Sequence, residues 1–267
     1  MSNLVKNKIA LVTSSTRGIG RACAETLARE GAKVYLAVRR PEAGREIAER
    51  IAQNGGCADV VLFDTQKPET FSGMIAEVEK REGRLDILVN NFGTTDVKRD
   101  LDVAGTKWED FLGIVSVNLR SVFEPVQRAV PLMIKNGGGS IVNISSIGGL
   151  EPDLQRTAYG VSKAAINFLT CDIAVQYAGR GVRCNAVLPG YTETDAAADN
   201  MSPDFLNAFL KNVPLRRAGQ AQDIANAVLF FASENSSYIT GQILPIAGGF
   251  GLPTPLYGMY MSMDTRG

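Results

Sequence analysis

Seven short apolar runs recur along the chain: KIALVT (8–13), KVYLAV (33–38), ADVVLF (58–63), DILVN (86–90), GSIVNI (139–144), VRCNAVL (182–188) and QILPI (242–246). Such runs are apolar on both faces and rich in β-branched residues, as expected of strands covered on two sides. Between them the apolar positions return every three or four residues, as in GRACAETLARE (20–30) and PEAGREIAERIAQN (41–54), the spacing of a helix with one buried stripe. Gly31 closes the first of these helices and Pro41 opens the second. Alternating strand and helix predicts an α/β fold, a Rossmann-type doubly wound parallel sheet of about seven strands with helices on both faces, in three α/β/α layers. Residues 191–220 break the rhythm with a polar, helix-forming insertion that reads as a substrate lid. No repeat, low-complexity run or linker divides the chain, so a single domain over 1–267 is expected, with a C-terminal tail at 250–267.

Composition narrows the chemistry. Across 267 residues, 28 Lys plus Arg balance 28 Asp plus Glu and no long basic run occurs, so neither nucleic acid nor an anionic membrane surface is an expected partner. The chain has no histidine, which removes Ser-His-Asp hydrolysis and histidine-ligated metal sites. Tyr, Lys, Asp, Glu and Cys remain to move protons, and no metal is expected. Cys23, Cys57, Cys171 and Cys184 are far apart without metal-ligand spacing and read as reduced thiols filling core space. No apolar run approaches the ~20 residues of a membrane span, and the N-terminal one is too short for a secretory signal. A cytoplasmic protein is expected.

The stretch TSSTRGIG (13–20) follows the first strand, where a doubly wound sheet presents free backbone N–H groups to a pyrophosphate. Gly18 and Gly20 permit close approach of backbone to ligand, while Ser14, Ser15 and Thr16 bring hydroxyls that suit phosphate or ribose oxygens. Ser14 stands where such loops usually carry a glycine. Arg17 in this loop, with Arg39 and Arg40 after the second strand, occupies the region where an NAD enzyme carries an acid for the ribose 2′-hydroxyl. Guanidinium forks there suit the 2′-phosphate of NADP; the alternative is a solvated basic corner ahead of a helix. In TAYGVSKAAINFL, Tyr159 and Lys163 lie four residues apart on one helix face, so the ammonium is placed to favour the phenolate. Ser145 and Ser146 end the fifth strand at the mouth of the same crevice, leaving room for a substrate oxygen between Ser146 and Tyr159. Alone, the Tyr and Lys pair also reads as a solvated helix face.

Together, TSSTRGIG, NNFG (90–93), Asn118 in VNL, Ser146, Tyr159-x-x-x-Lys163 and PGYTET (189–194) resemble the short-chain dehydrogenase/reductase family over essentially the whole chain. The resemblance implies Tyr159 as general acid/base and Ser146 as the group orienting the substrate oxygen. It implies that Lys163 lowers the tyrosine pKa and holds the nicotinamide ribose, and that Asn118 anchors a proton-relay water. Cofactor contacts are implied for Ser14, Ser15, Thr16, Arg17, Gly18 and Ile19 of the first loop. Arg39, Arg40, Asp64 and Thr65 follow on the adenine side, Asn91 and Gly93 on the ribose side, and Pro189, Gly190, Thr192 and Thr194 towards the nicotinamide.

Within the family, the stretches VRR, LVNNFGT, SIVNISSIGG, YGVSK, RCNAVLPG and DIANAVLFF are similar to NADP-dependent bacterial hydroxysteroid dehydrogenases acting on bile acids. That similarity implies NADP(H) as cofactor and the 7α-hydroxyl of a steroid as substrate. It also implies a tail in which Leu252, Pro253, Leu256, Tyr257, Met259, Tyr260 and Met261 cover an apolar ligand; a frayed terminus or a subunit contact are the alternatives. Family members are commonly tetramers or dimers, and the apolar faces within 125–134 and 165–178 suit such packing or a core equally. β-Ketoacyl carrier-protein reductase, another carbonyl reductase, and a catalytically silent NADP(H)-binding regulator are the competing readings. The long tail weighs against the first and the intact Tyr and Lys pair against the last. Two departures from the family pattern stand out: Ser14 in the loop and Ala247 in IAGG (246–249), where many members carry an aspartate.

Overall fold

Strand and helix alternate as the hydrophobic pattern requires in the computed structural model, which describes residues 3–194, 203–252 and 256–263. The first half runs β1 (Ile9–Thr13), α1 (Gly18–Arg29), β2 (Lys33–Val38), α2 (Pro41–Gln53), β3 (Cys57–Leu62), α3 (Glu69–Glu82), β4 (Ile87–Asn90) and α4 (Trp108–Lys135). The second half runs β5 (Gly139–Ile144), α5 (Thr157–Tyr177), β6 (Val182–Pro189), β7 (Thr192–Glu193), α6 (Pro203–Leu210), β8 (Gly219–Gln220), α7 (Ala221–Ala232), β9 (Ile243–Ile246) and α8 (Tyr257–Met263).

Seven strands form one parallel sheet in the order β3-β2-β1-β4-β5-β6-β9. Each of the seven apolar runs coincides with one of these strands to within a residue or so at either end. Two cores sandwich the sheet. On one face Ile75, Leu88, Val126, Ile141, Ile166 and Ile173 bring α3, α4 and α5 against it; on the other, Val12, Leu27, Ile47, Val142 and Val228 do the same for α1, α2 and α7. The strand order reverses between β1 and β4, so the loops leaving these strands part and open a crevice at their carboxyl ends.

Edges depart from the pattern. β3 borders solvent, so Cys57 is exposed and Leu62 is 40% exposed despite the apolar run. Cys171 is half-buried, and only Cys23 and Cys184 fill the core as thiols; burial raises the pKa of Cys23 to about 12 and moves Cys184 in the same direction. The apolar faces of α4 and α5 are only partly used by the core. Val126, Val130, Ile166 and Ile173 are core, whereas Phe168 and Val175 are 72% and 85% exposed. The ends of the insertion are clasped by a two-residue parallel ladder, Thr192 opposite Gly219 and Glu193 opposite Gln220. Residues 195–202 of the predicted lid, and 253–255 and 264–267 of the tail, lie outside the described residues, as does the side chain of Met261. Among the described residues, no helix is long and apolar enough to cross a membrane.

Candidate active site

The loop after β1 answers the question raised by Ser14. Its φ is +53°, the left-handed conformation that usually selects glycine, while its N–H donates to the Ala37 carbonyl (2.8 Å). Serine therefore adopts the glycine geometry at this turn. Gly20 is indispensable for a different reason from the one expected: a Cβ there would collide with the Ser14 carbonyl oxygen and the Asn91 amide, so it admits loop to helix rather than backbone to ligand. Asn91 locks the same corner, donating from Nδ2 to the Thr13 and Ser14 carbonyls (3.2 and 3.3 Å) and from its backbone to Thr13 Oγ1 (2.8 Å).

Above this corner lies a cleft of about 670 Å³. Ser14, Thr16, Arg17, Gly18 and Ile19 line it from the β1–α1 loop, Arg39, Arg40 and Thr65 from the ends of β2 and β3, and Asn91, Gly93 and Thr194 from the far side. No side chain caps the N-terminus of α1, and the Ser15 hydroxyl is buried without a partner among the described residues. Orphaned donors at a helix start beside an arginine-lined cleft fit a phosphate-bearing dinucleotide. Arg17, Arg39 and Arg40 are exposed, and none has an ion-pair partner among the described residues. Other expected contacts are placed less directly. Asp64 is half-buried, its carboxylate accepting from the Gln66 N–H (3.1 Å). Thr192 is buried and bonds the Gly190 carbonyl (3.2 Å), and Gly190, following Pro189 at the end of β6, packs so closely on Ala247 that a Cβ would meet its Cα at 2.8 Å.

β5 and α5 bring the chemical residues together. Ser145 and Ser146, adjacent in sequence, point to different tasks: Ser145 is buried and ties its hydroxyl to the Lys163 carbonyl (3.2 Å), whereas Ser146 opens a short 3₁₀ turn and accepts from the Gly148 N–H (3.1 Å). The Ser146 hydroxyl and the Tyr159 ring converge beside Gly148, where an added Cβ would lie 3.5 Å from Ser146 Oγ and 4.0 Å from Tyr159 Cε1. Lys163, one turn on along α5, sits with Nζ 5.6 Å from the Tyr159 ring centroid and donates to the Ile144 carbonyl (3.0 Å). A Cβ on Gly93 would lie 2.7 Å from Nζ, so glycine leaves the space this amine occupies. Asn118 is fully buried; its Oδ1 accepts from the Thr94 N–H (2.9 Å), and its Nδ2 donates to the Thr94 carbonyl and the Ser162 hydroxyl (both 2.9 Å). Both amide hydrogens are thereby committed to joining the β4–α4 loop to α5.

The electrostatics differ from the sequence expectation. Burial raises the Tyr159 pKa above its ordinary value, and the groups pulling it back down are the Ser146 hydroxyl and the charge of Arg156. Lys163 is itself lowered to about 8 by burial. The expected net lowering of the phenol by Lys163 is therefore not what this arrangement gives. Arg156, three residues before the tyrosine, lies outside the helix and so carries no spacing signal in the sequence; its guanidinium lies 6.0 Å from the Tyr159 ring centroid.

Residues 13–251 match the family model described as enoyl-(acyl carrier protein) reductase. The chain belongs to the short-chain dehydrogenase/reductase family. It is 52% identical to a 7α-hydroxysteroid dehydrogenase of Clostridium sardiniense, covering 96% of this chain and 98% of that one. To the 7α-hydroxysteroid dehydrogenase of Paraclostridium sordellii it is 50% identical, covering 97% of each. Among solved short-chain dehydrogenase/reductase structures, it resembles a 7α-hydroxysteroid dehydrogenase complexed with NADH and 7-oxo glycochenodeoxycholic acid, with a TM-score of 0.88 at 33% identity, covering 93% of this chain and 96% of that chain. Relatives named 3-oxoacyl-[acyl-carrier-protein] reductase are more distant.

Proposed function

We propose that this chain is an NADP-dependent 7α-hydroxysteroid dehydrogenase that interconverts the 7α-hydroxyl and the 7-ketone of bile acids. The observation that carries the reading is the convergence of the Ser146 hydroxyl, the Tyr159 phenol and the Lys163 ammonium beside an arginine-lined cleft at the carboxyl ends of the sheet. Similarity to enzymes of that name supports the steroid substrate over a carrier-protein thioester.

A nicotinamide dinucleotide, when bound, supplies the hydride-transfer chemistry. Its phosphates would be held by the β1–α1 loop, with Arg17, Arg39 and Arg40 against a 2′-phosphate, and its ribose by Lys163. Ser146 then holds the substrate oxygen by hydrogen bonding. Tyr159 takes the hydroxyl proton as the alcohol is oxidised and returns it as the ketone is reduced. Because burial keeps the phenol protonated, the resting residue is poised to act as the acid of ketone reduction. Asn118 keeps the β4–α4 loop against α5 so that Gly93 stays beside the Lys163 amine.

The exposed Phe168 and Val175 on α5 suit burial against a second copy of the chain, and we assign the protein to homo-oligomers in the cytoplasm. We assign to the substrate side the aromatic row made by Tyr191, Phe209 of α6 and Phe250, whose centroids are 6.0 and 4.9 Å apart. The apolar side chains of the described tail, Leu252, Leu256, Met259 and Tyr260, are exposed, which leaves them outside the core to meet an apolar ligand.

The test is Tyr159→Phe. Losing the acid/base costs roughly 10²- to 10⁴-fold in kcat, with NADPH binding by fluorescence titration retained. Parent turnover in this variant would refute the assignment.

A further inference from the structure

A buried carboxylate outside the sequence motifs holds the start of the helix that carries Tyr159. Asp100 lies on the loop between β4 and α4 and is fully buried. Helix α5 begins after Arg156, which adopts a left-handed conformation (φ +64°) and provides no side-chain cap. A helix leaves its first N–H groups without intrahelical partners. Here residues 100 and 101 take four in succession. Arg156 N–H donates to the Asp100 carbonyl (3.0 Å) and Thr157 N–H to the Leu101 carbonyl (3.2 Å). Ala158 N–H donates to Asp100 Oδ1 (2.8 Å) and Tyr159 N–H to Asp100 Oδ2 (3.0 Å).

The same Oδ2 accepts from the Thr95 hydroxyl (2.8 Å), and the neighbouring Thr94 is bonded to Asn118. Three donors and the positive end of a helix are what a buried carboxylate requires. The cap thus ties the backbone of Tyr159 to the loop that carries Gly93 against Lys163.

We propose that Asp100 is a positioning residue. It sets where the Tyr159 phenol stands relative to Ser146 and Lys163, acting through the Tyr159 backbone without touching substrate. The inference rests on Tyr159 being the acid/base of the proposed reaction.

Asp100→Asn, Asp100→Ala and Tyr159→Phe are compared at saturating cofactor, with hydrogen exchange followed at individual amides. Asp100→Ala loses roughly 10- to 100-fold in kcat, the cost of displacing a reacting group by about an ångström. Asp100→Asn retains one carbonyl acceptor and loses less. In both, exchange speeds up at Ala158 and Tyr159 while the interior of α5, around Ile166, stays protected. A folded Asp100→Asn with parent kcat and parent exchange overturns the inference, as does a uniform loss of protection along α5, which marks a role in stability alone. Should Asp100→Ala fail to fold, Asp100→Asn decides. Parent turnover in Tyr159→Phe sinks the acid/base assignment and this inference with it; an inactive Tyr159→Phe beside a fully active Asp100→Ala or Asp100→Asn sinks this inference alone.

Discussion

Tyr159 sits between opposing influences: burial favours the neutral phenol, and the Ser146 hydroxyl and the Arg156 guanidinium favour the phenolate. The sign of a change at Arg156 follows. Removing its charge takes away one of the two groups that lower the phenol pKa, so Arg156→Gln raises it. Oxidation, which needs the phenolate, should then require a higher pH; the alkaline-going limb of the kcat profile for alcohol oxidation shifts upward, and a profile unchanged from the parent would contradict this reading. Ser146, Tyr159 and Lys163 were legible in the sequence because strand end and helix spacing place them together. Arg156 and Asp100 were not. Their importance depends on the left-handed turn before α5 and on the β4–α4 loop returning to it, and neither leaves a periodic signal.

At the scale of elements, the strands were readable because inner parallel strands are covered on both faces and so appear as unbroken apolar runs. Edges and irregular segments were not, as the exposed Cys57 of β3 and the two-residue β7–β8 ladder illustrate. Turn chemistry was legible only in part: TSSTRGIG marked the loop, but that Ser14 takes the left-handed turn itself emerges only from the backbone. The basic corner is likewise a property of elements, since the ends of β1 and β2 are neighbours through the pairing of Thr13 with Ala37. That register lets Arg17 and Arg39 line the same cleft. In the proposed reading, Arg39→Asp replaces a fork for the 2′-phosphate with a ribose-hydroxyl acceptor. Losing a charge-assisted hydrogen bond of about 1.5–3 kcal/mol lowers kcat/KM for NADP roughly 10- to 100-fold. The ratio of NADP to NAD efficiencies measures it, and an unaltered ratio would make Arg39 mere surface charge.

For the whole molecule, a doubly wound sheet concentrates loops at one end, and this chain places there an arginine-lined cleft, a Ser, Tyr and Lys set and, starting from Tyr191 at the exit of β6, an aromatic row. Fold alone leaves the substrate open, because the same scaffold serves many alcohols. The similarity to 7α-hydroxysteroid dehydrogenases favours a steroid, and in the proposed reading the reacting carbon is set by how that steroid lies against Ser146 and Tyr159. The most direct measurement is the carbon NMR spectrum of the product formed from chenodeoxycholate and NADP. A ketone at carbon 7, with no conversion of the 7β epimer, is the predicted result. A ketone at carbon 3, or no oxidation of the bile acid while short β-hydroxy esters are consumed, would contradict the account.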